Sequence, residues 1–146
     1  MRRETDHTAT FGRDKDKRFK IVEMSAFDAF DWATKAMLSM AKSGVDIPSD
    51  IASQGMAGVA IVALRTVGGL EFMSVRSLRD DLLRCVTIYT DFHKNPMHTR
   101  PITGQDDIEE PQTIYELCKA VLEHHLGFSI AEGLSRLAPR TPSAGA

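Results

Sequence analysis

The stretch GMAGVAIVAL, residues 55–64, constrains the fold of this chain more than any other segment. Wound into a helix it is apolar on nearly every side, and a helix without a polar face has to be surrounded by other elements. Gly55, Gly58 and the interleaved alanines let neighbouring backbones approach closely. Each glycine costs about 1 kcal/mol of helix propensity relative to alanine, so close packing has to offset it. The run is roughly half the length needed to span a bilayer, which points to a protein core rather than a membrane. The polar N-terminus, MRRETDHTATFGRDKDKRFK, lacks the apolar stretch of a signal peptide, and a cytoplasmic protein is expected.

Around this segment the pattern is that of a single domain of 146 residues, 42% hydrophobic and 26% charged. Residues 7–24 read as a β-hairpin about the polar turn GRDKDK, with Phe19, Ile21 and Phe11 as candidates for its apolar side. A lone hairpin is marginal in water, so it should pack on helices. Ser25 with Asp28 resembles a capping box and opens a helix over 25–43, which Gly44 closes. Further helices are expected over 49–67, over 74–90 with Val75, Leu78, Leu82, Val86 and Tyr89 on one stripe, over 112–126 with Gly127 as its stop, and over 129–137. The connection HKNPMHTRPITGQDDIEEP is long and proline-broken, hence mobile or functional. The expected fold is mainly α: a small bundle of four to five helices with a short N-terminal β-hairpin, one domain over 1–137, and a disordered tail over 138–146.

Candidates for chemistry were tested by spacing. On the 112–126 helix, Ile114, Cys118, Val121 and His125 share about 60° of arc. No two ligand-type residues there stand three or four positions apart with a shared face, so the helix alone cannot grip a metal ion. The pair His124 and His125 reads instead as packed histidines bonded to backbone or water. Cys85 and Cys118 lie far apart and show no ligand spacing, consistent with reduced thiols. Phosphate-cradling, dinucleotide-binding and nucleophile-elbow motifs are all missing from the sequence, so neither an enzyme nor a cofactor is expected. His93, Lys94, His98 and Arg100 cluster in one loop that either meets an acidic partner or is simply solvated.

The net charge of −2 argues against nucleic acid as a partner. The charge is uneven: residues 1–20 carry seven basic and four acidic side chains, whereas 104–116 carry five acidic and no basic ones. Such asymmetry steers partners or self-association, or else belongs to a solvated hairpin and loop. Trp32 falls by angle within the polar stripe Asp28, Asp31, Lys35, Ser39 and Lys42 rather than beside Phe30, Ala33 and Met37. It is either an exposed interface anchor or a residue the hairpin folds over.

Taken in order, RFKIVEM, the Trp-bearing SAFDAFDWATKAMLSMAKSG, GMAGVAIVAL, LRDDLLRCV, the broken acidic RPITGQDDIEEPQ and the final LEHHLGFS resemble the tail assembly chaperones of long-tailed bacteriophages, over roughly residues 17 to 130. The resemblance implies a non-enzymatic, mostly helical protein of the host bacterial cytoplasm. Its partner would be the tape measure protein, kept soluble while the tail tube forms. A longer frameshifted product would recruit tail tube protein, and a homo-oligomer fits the same role. On this reading Trp32 and Met40 on the first helix, with Phe128, Ile130, Leu134 and Leu137 beyond the last long helix, are the expected partner contacts. The alternative function is a structural tail or head-tail junction protein retained in the particle.

Overall fold

The computed structural model describes residues 1–44, 71–90, 97–103 and 106–127, with single positions 58, 62 and 94. The expected helices over 49–67 and 129–137 and the tail over 138–146 lie outside the described residues, apart from Gly58 and Val62, which are helical.

Alternation builds the first two strands. In β1 (Glu4–Thr8) and β2 (Arg18–Val22), paired antiparallel with His7 opposite Phe19 and Thr5 opposite Ile21, every second β2 residue turns inward. Phe19 and Ile21 are fully buried, while Lys20 reaches across the other face to Glu4 at 2.9 Å. The hairpin thus starts three residues earlier than the sequence pattern suggests, and Phe11 is 49% exposed beside a short 3-10 turn (Gly12–Asp14).

α1 (Ala26–Lys42) follows, with the Ser25 hydroxyl accepting the Asp28 N–H at 3.1 Å as the capping pattern requires. Gly44 ends it in the left-handed region, at φ +77°. α2 (Phe72–Leu83) runs antiparallel to α1 and leads straight into β3 (Val86–Tyr89). A short β4 (Thr99–Pro101) and α3 (Pro111–Leu126) complete the described elements. Gly127, at φ +74°, stops α3 where the sequence places the stop.

Two expectations are corrected. The helix over 74–90 breaks at Leu83, because β-branched Val86, Thr87 and Ile88 pair with β2, Ile21 facing Val86 and Phe19 facing Ile88. The proline-broken connection contributes a strand of its own, since Thr99–Pro101 pairs antiparallel with β3, and a proline is tolerated at such an edge. The mainly α bundle is therefore overturned. Four antiparallel strands in the order β1-β2-β3-β4 and three described helices make an α+β fold, not an all-α one. Trp32, Ala36 and Met40 of α1, Leu78 and Leu82 of α2, and Leu117, Val121 and Leu122 of α3 share one core with Phe19, Ile21, Val86 and Ile88 of the sheet. No described helix is long and apolar enough to cross a membrane.

Candidate binding surface

α1 carries two apolar stripes. Trp32, Ala36 and Met40 are spaced four apart and point into the core, with Ala33 and Met37 packed at its margin. Phe27, Phe30, Thr34 and Leu38 follow the same helical spacing on a different side. Phe27 is 84% exposed, Phe30 69% and Leu38 65%. Phe72 and Met73, at the start of α2, are exposed as well. Both helices thus present large apolar side chains to solvent.

The two helices are held by polar contacts. The Trp32 indole N–H donates to the Leu78 carbonyl at 3.2 Å, and the Lys35 ammonium reaches the Ser77 hydroxyl at 2.8 Å and the Asp81 carboxylate. Lys42 of α1 also reaches Glu71 at the start of α2, at 3.5 Å, while at the other end of α2 Arg84 shares Asp81 from within its own helix end, at 3.0 Å. Two clefts of about 370 and about 360 Å³ flank these contacts along the α1–α2 seam, with Asp31 and Lys35 in the walls of both. Asp28 lines the first of them, and neither its carboxylate nor that of Asp31 has a partner among the described residues.

Of the residues expected at a partner surface, Trp32 is 4% exposed and Met40 fully buried, so both are core residues of the folded chain. They are covered because α1 turns its Trp32 side toward α2 and the sheet. Phe128, Ile130, Leu134 and Leu137 lie outside the described residues. The residues that do form an exposed apolar ridge, Phe27, Phe30 and Leu38, were legible as a 3-4-4 spacing with Thr34.

A second group of titratable residues joins the N-terminal hairpin to the α3 region. Asp14, fully buried, accepts from the backbone N–H of Glu109 at 2.9 Å and of Glu110 at 2.8 Å, from the Thr113 hydroxyl at 2.6 Å and from Lys17 at 2.9 Å. It thereby caps α3 from a distant part of the chain, where Glu110 makes no side-chain cap of its own. Burial alone pushes this carboxyl up, but the hydrogen bonds from Thr113, Lys17 and the two backbone amides overcome it and hold it well below the usual carboxylate range. Arg13 pairs with Glu110 at 3.0 Å and Lys17 with Glu109 at 3.2 Å. The uneven charge noticed in the sequence is in this way matched within the molecule.

The His125 ring accepts the Met24 N–H at Nε2, 2.8 Å away, which leaves Nδ1 to donate to the Val121 carbonyl at 2.7 Å. Burial pushes its pKa below the ordinary histidine value. His124 donates to the Arg3 carbonyl at 3.1 Å. Both histidines thus bond to backbone. In the loop cluster, Arg100 makes a two-point pair with Asp107 at 2.6 and 2.7 Å, and His98 bonds to the Thr90 hydroxyl at 2.7 Å; His93 lies outside the described residues. Burial raises both thiols, Cys85 and Cys118, to about 11, so each is protonated at neutral pH and neither presents a nucleophilic thiolate. Among the described residues no group of three or more His, Cys, Asp or Glu side chains could hold a metal ion.

No family model matches the chain, and no curated protein or solved structure matches it.

Proposed function

We propose that this chain is a tail assembly chaperone of the kind its sequence resembles, binding the tape measure protein in the host bacterial cytoplasm and keeping it soluble while the tail tube assembles. The observation that carries the reading is the outward ridge of Phe27, Phe30 and Leu38 on α1, large apolar side chains left in water by the folded chain. An exposed apolar patch of a few hundred Å² on a folded chain is often a docking site. A long helical client with apolar stripes needs many modest, reversible contacts rather than one tight interface, and a shallow helical ridge supplies contacts of that kind. The order of segments over residues 17 to 130 supports the same reading. In this proposal the α+β architecture replaces the helical bundle, and the contacts belong to the ridge rather than to Trp32 and Met40. Recruitment of tail tube protein through a longer frameshifted product is part of the same proposal.

Co-expression with a candidate tape measure protein from the same genome tests this directly. The expected result is a tape measure protein that pellets when made alone and stays in the soluble fraction with this chain, together with finished particles that lack the chain. A client that stays insoluble refutes the reading. The chain in stoichiometric amount in purified particles replaces it with a structural role in the tail or head-tail junction.

A further inference from the structure

We propose that the Phe27–Phe30–Leu38 ridge and the adjoining α1–α2 groove dock one amphipathic helix whose apolar stripe is bordered by Lys or Arg. The surface fits a helix by shape. α1 is 17 residues long, about 25 Å, which matches about four to five turns of a partner helix. A groove between two antiparallel helices accepts a third by the same ridge-into-groove packing that joins the first two. The three side chains offer roughly 400 Å² of exposed apolar surface, using ordinary areas for phenylalanine and leucine.

The charges select the partner. Within the cleft of about 370 Å³ Glu23 is taken by Arg3, and Asp81 by Lys35 and Arg84, while Arg2, also in its wall, makes no ion pair with either remaining aspartate among the described residues. Asp28 and Asp31 are left without an ion-pair partner among the described residues, beside Phe27 and Phe30. A helix laid on the ridge removes water from these two carboxylates; Arg2 offsets at most one of them, and a cation on the helix flank compensates the rest. The same ridge of a second copy is poorly suited to supply it. Its own Lys35 is held by Asp81 and Ser77 and its Lys42 by Glu71, and a parallel pairing would set acid against acid. The occupant is therefore a different, basic-flanked helix. If the chaperone reading holds, this is the character of the tape measure segment it covers; the surface itself does not depend on that reading.

The test uses the full chain and two labelled synthetic peptides of about 20 residues with leucines at helical spacing, one flanked by lysine and one by glutamate. Anisotropy titration should show the lysine peptide binding at least about tenfold more tightly, with the preference weakened by added salt. The triple variant Phe27→Ser, Phe30→Ser, Leu38→Ser should lose that binding with an unchanged melting curve, because all three side chains are exposed. Asp28→Lys with Asp31→Lys should reverse the preference toward the glutamate peptide. Equal binding of both peptides, or full binding by the triple variant, overturns the proposal. So does light scattering that shows a dimer which the triple variant dissolves, since the occupant would then be a second copy. If the triple variant still keeps the tape measure protein soluble, this surface fails and the chaperone reading stands. If the wild type discriminates the peptides but leaves the tape measure protein insoluble, the chaperone reading fails and the surface stands.

Discussion

Replacing Asp14 by alanine should cost this protein a large part of its stability, although the residue lies in a polar turn. Its carboxylate is fully buried and receives hydrogen bonds from Thr113, Lys17 and the backbone of Glu109 and Glu110. In Asp14→Ala the two backbone amides at the start of α3 lose their acceptor, and a buried donor left unpaired costs about 1–3 kcal/mol. Lys17 keeps Glu109 and the Asp106 carbonyl, so its ammonium is only partly deprived. The sum is about 3–4 kcal/mol, against a total of about 5–15 kcal/mol for a domain of this kind. Urea denaturation at neutral pH, with the slope checked for constancy, measures it. Because the folded-state pKa is depressed, the contribution is fully present above the unfolded-state value near about 4 and is lost progressively as the pH falls toward the folded value. Wild type should therefore lose stability below about pH 4, and Asp14→Ala should lack that part of the decline. A cost under about 1 kcal/mol, or an unchanged acid slope in the variant, would refute the assignment of Asp14 as the cap of α3.

Three other outcomes follow from the geometry. His125→Ala should cost about 1–3 kcal/mol by orphaning the Met24 N–H, and since burial depresses the folded pKa of His125, wild type should weaken as pH falls from about 6.5 while the variant shows a flatter profile by urea titration. The single tryptophan should emit at short wavelength and resist acrylamide quenching, and Trp32→Phe should cost about 1 kcal/mol or somewhat more by losing its bond to Leu78. Gly12 sits at φ +56°, and an added Cβ would stand 2.8 Å from the Glu110 carboxylate, so Gly12→Ala should both strain the turn and push Glu110 off Arg13, lowering the melting temperature by several degrees, for about 1–2 kcal/mol.

What was legible in the sequence was local. Ser25, Gly44 and Gly127 mark helix ends by their own side chain or backbone freedom, and the structure uses all three as written. Phe19 and Ile21 alternate with charged neighbours, and the strand follows. β3 was missed because Leu82, Val86 and Tyr89 stand at spacings of four and three, so a helical stripe continued through a strand whose own period is two. No glycine or proline marks the break at Leu83; the pairing of Val86 and Ile88 with β2 decides it. β4 is three residues long and ends on a proline, too little for any periodicity to show. The cap of α3 joins residue 14 to residue 110, a separation no local pattern encodes. One hint was present: Pro111 opens a helix whose preceding residue, Glu110, is a poor cap, so an acceptor had to come from elsewhere. The ridge on α1 was visible as spacing, but which stripe faced water depended on where α2 and the sheet lay.

Val22 donates its N–H to the Cys85 carbonyl at 2.9 Å, which sets the end of β2 beside the start of β3 with both α1 and α2 intervening in the chain. As the polypeptide leaves the ribosome, the first hairpin can form early, but its inner face has nothing to lie against until much later. β3 has to arrive to extend the sheet, and α3 has to arrive to be capped by Asp14 and held by His124 and His125. Pairings so distant along the chain are slow to form, because loop-closure entropy is lost before any contact repays it. The nascent chain therefore spends much of its synthesis with Phe19, Ile21 and Trp32 uncovered, and a pause or truncation anywhere before α3 yields a fragment whose greasy inner face lacks its last covering helix.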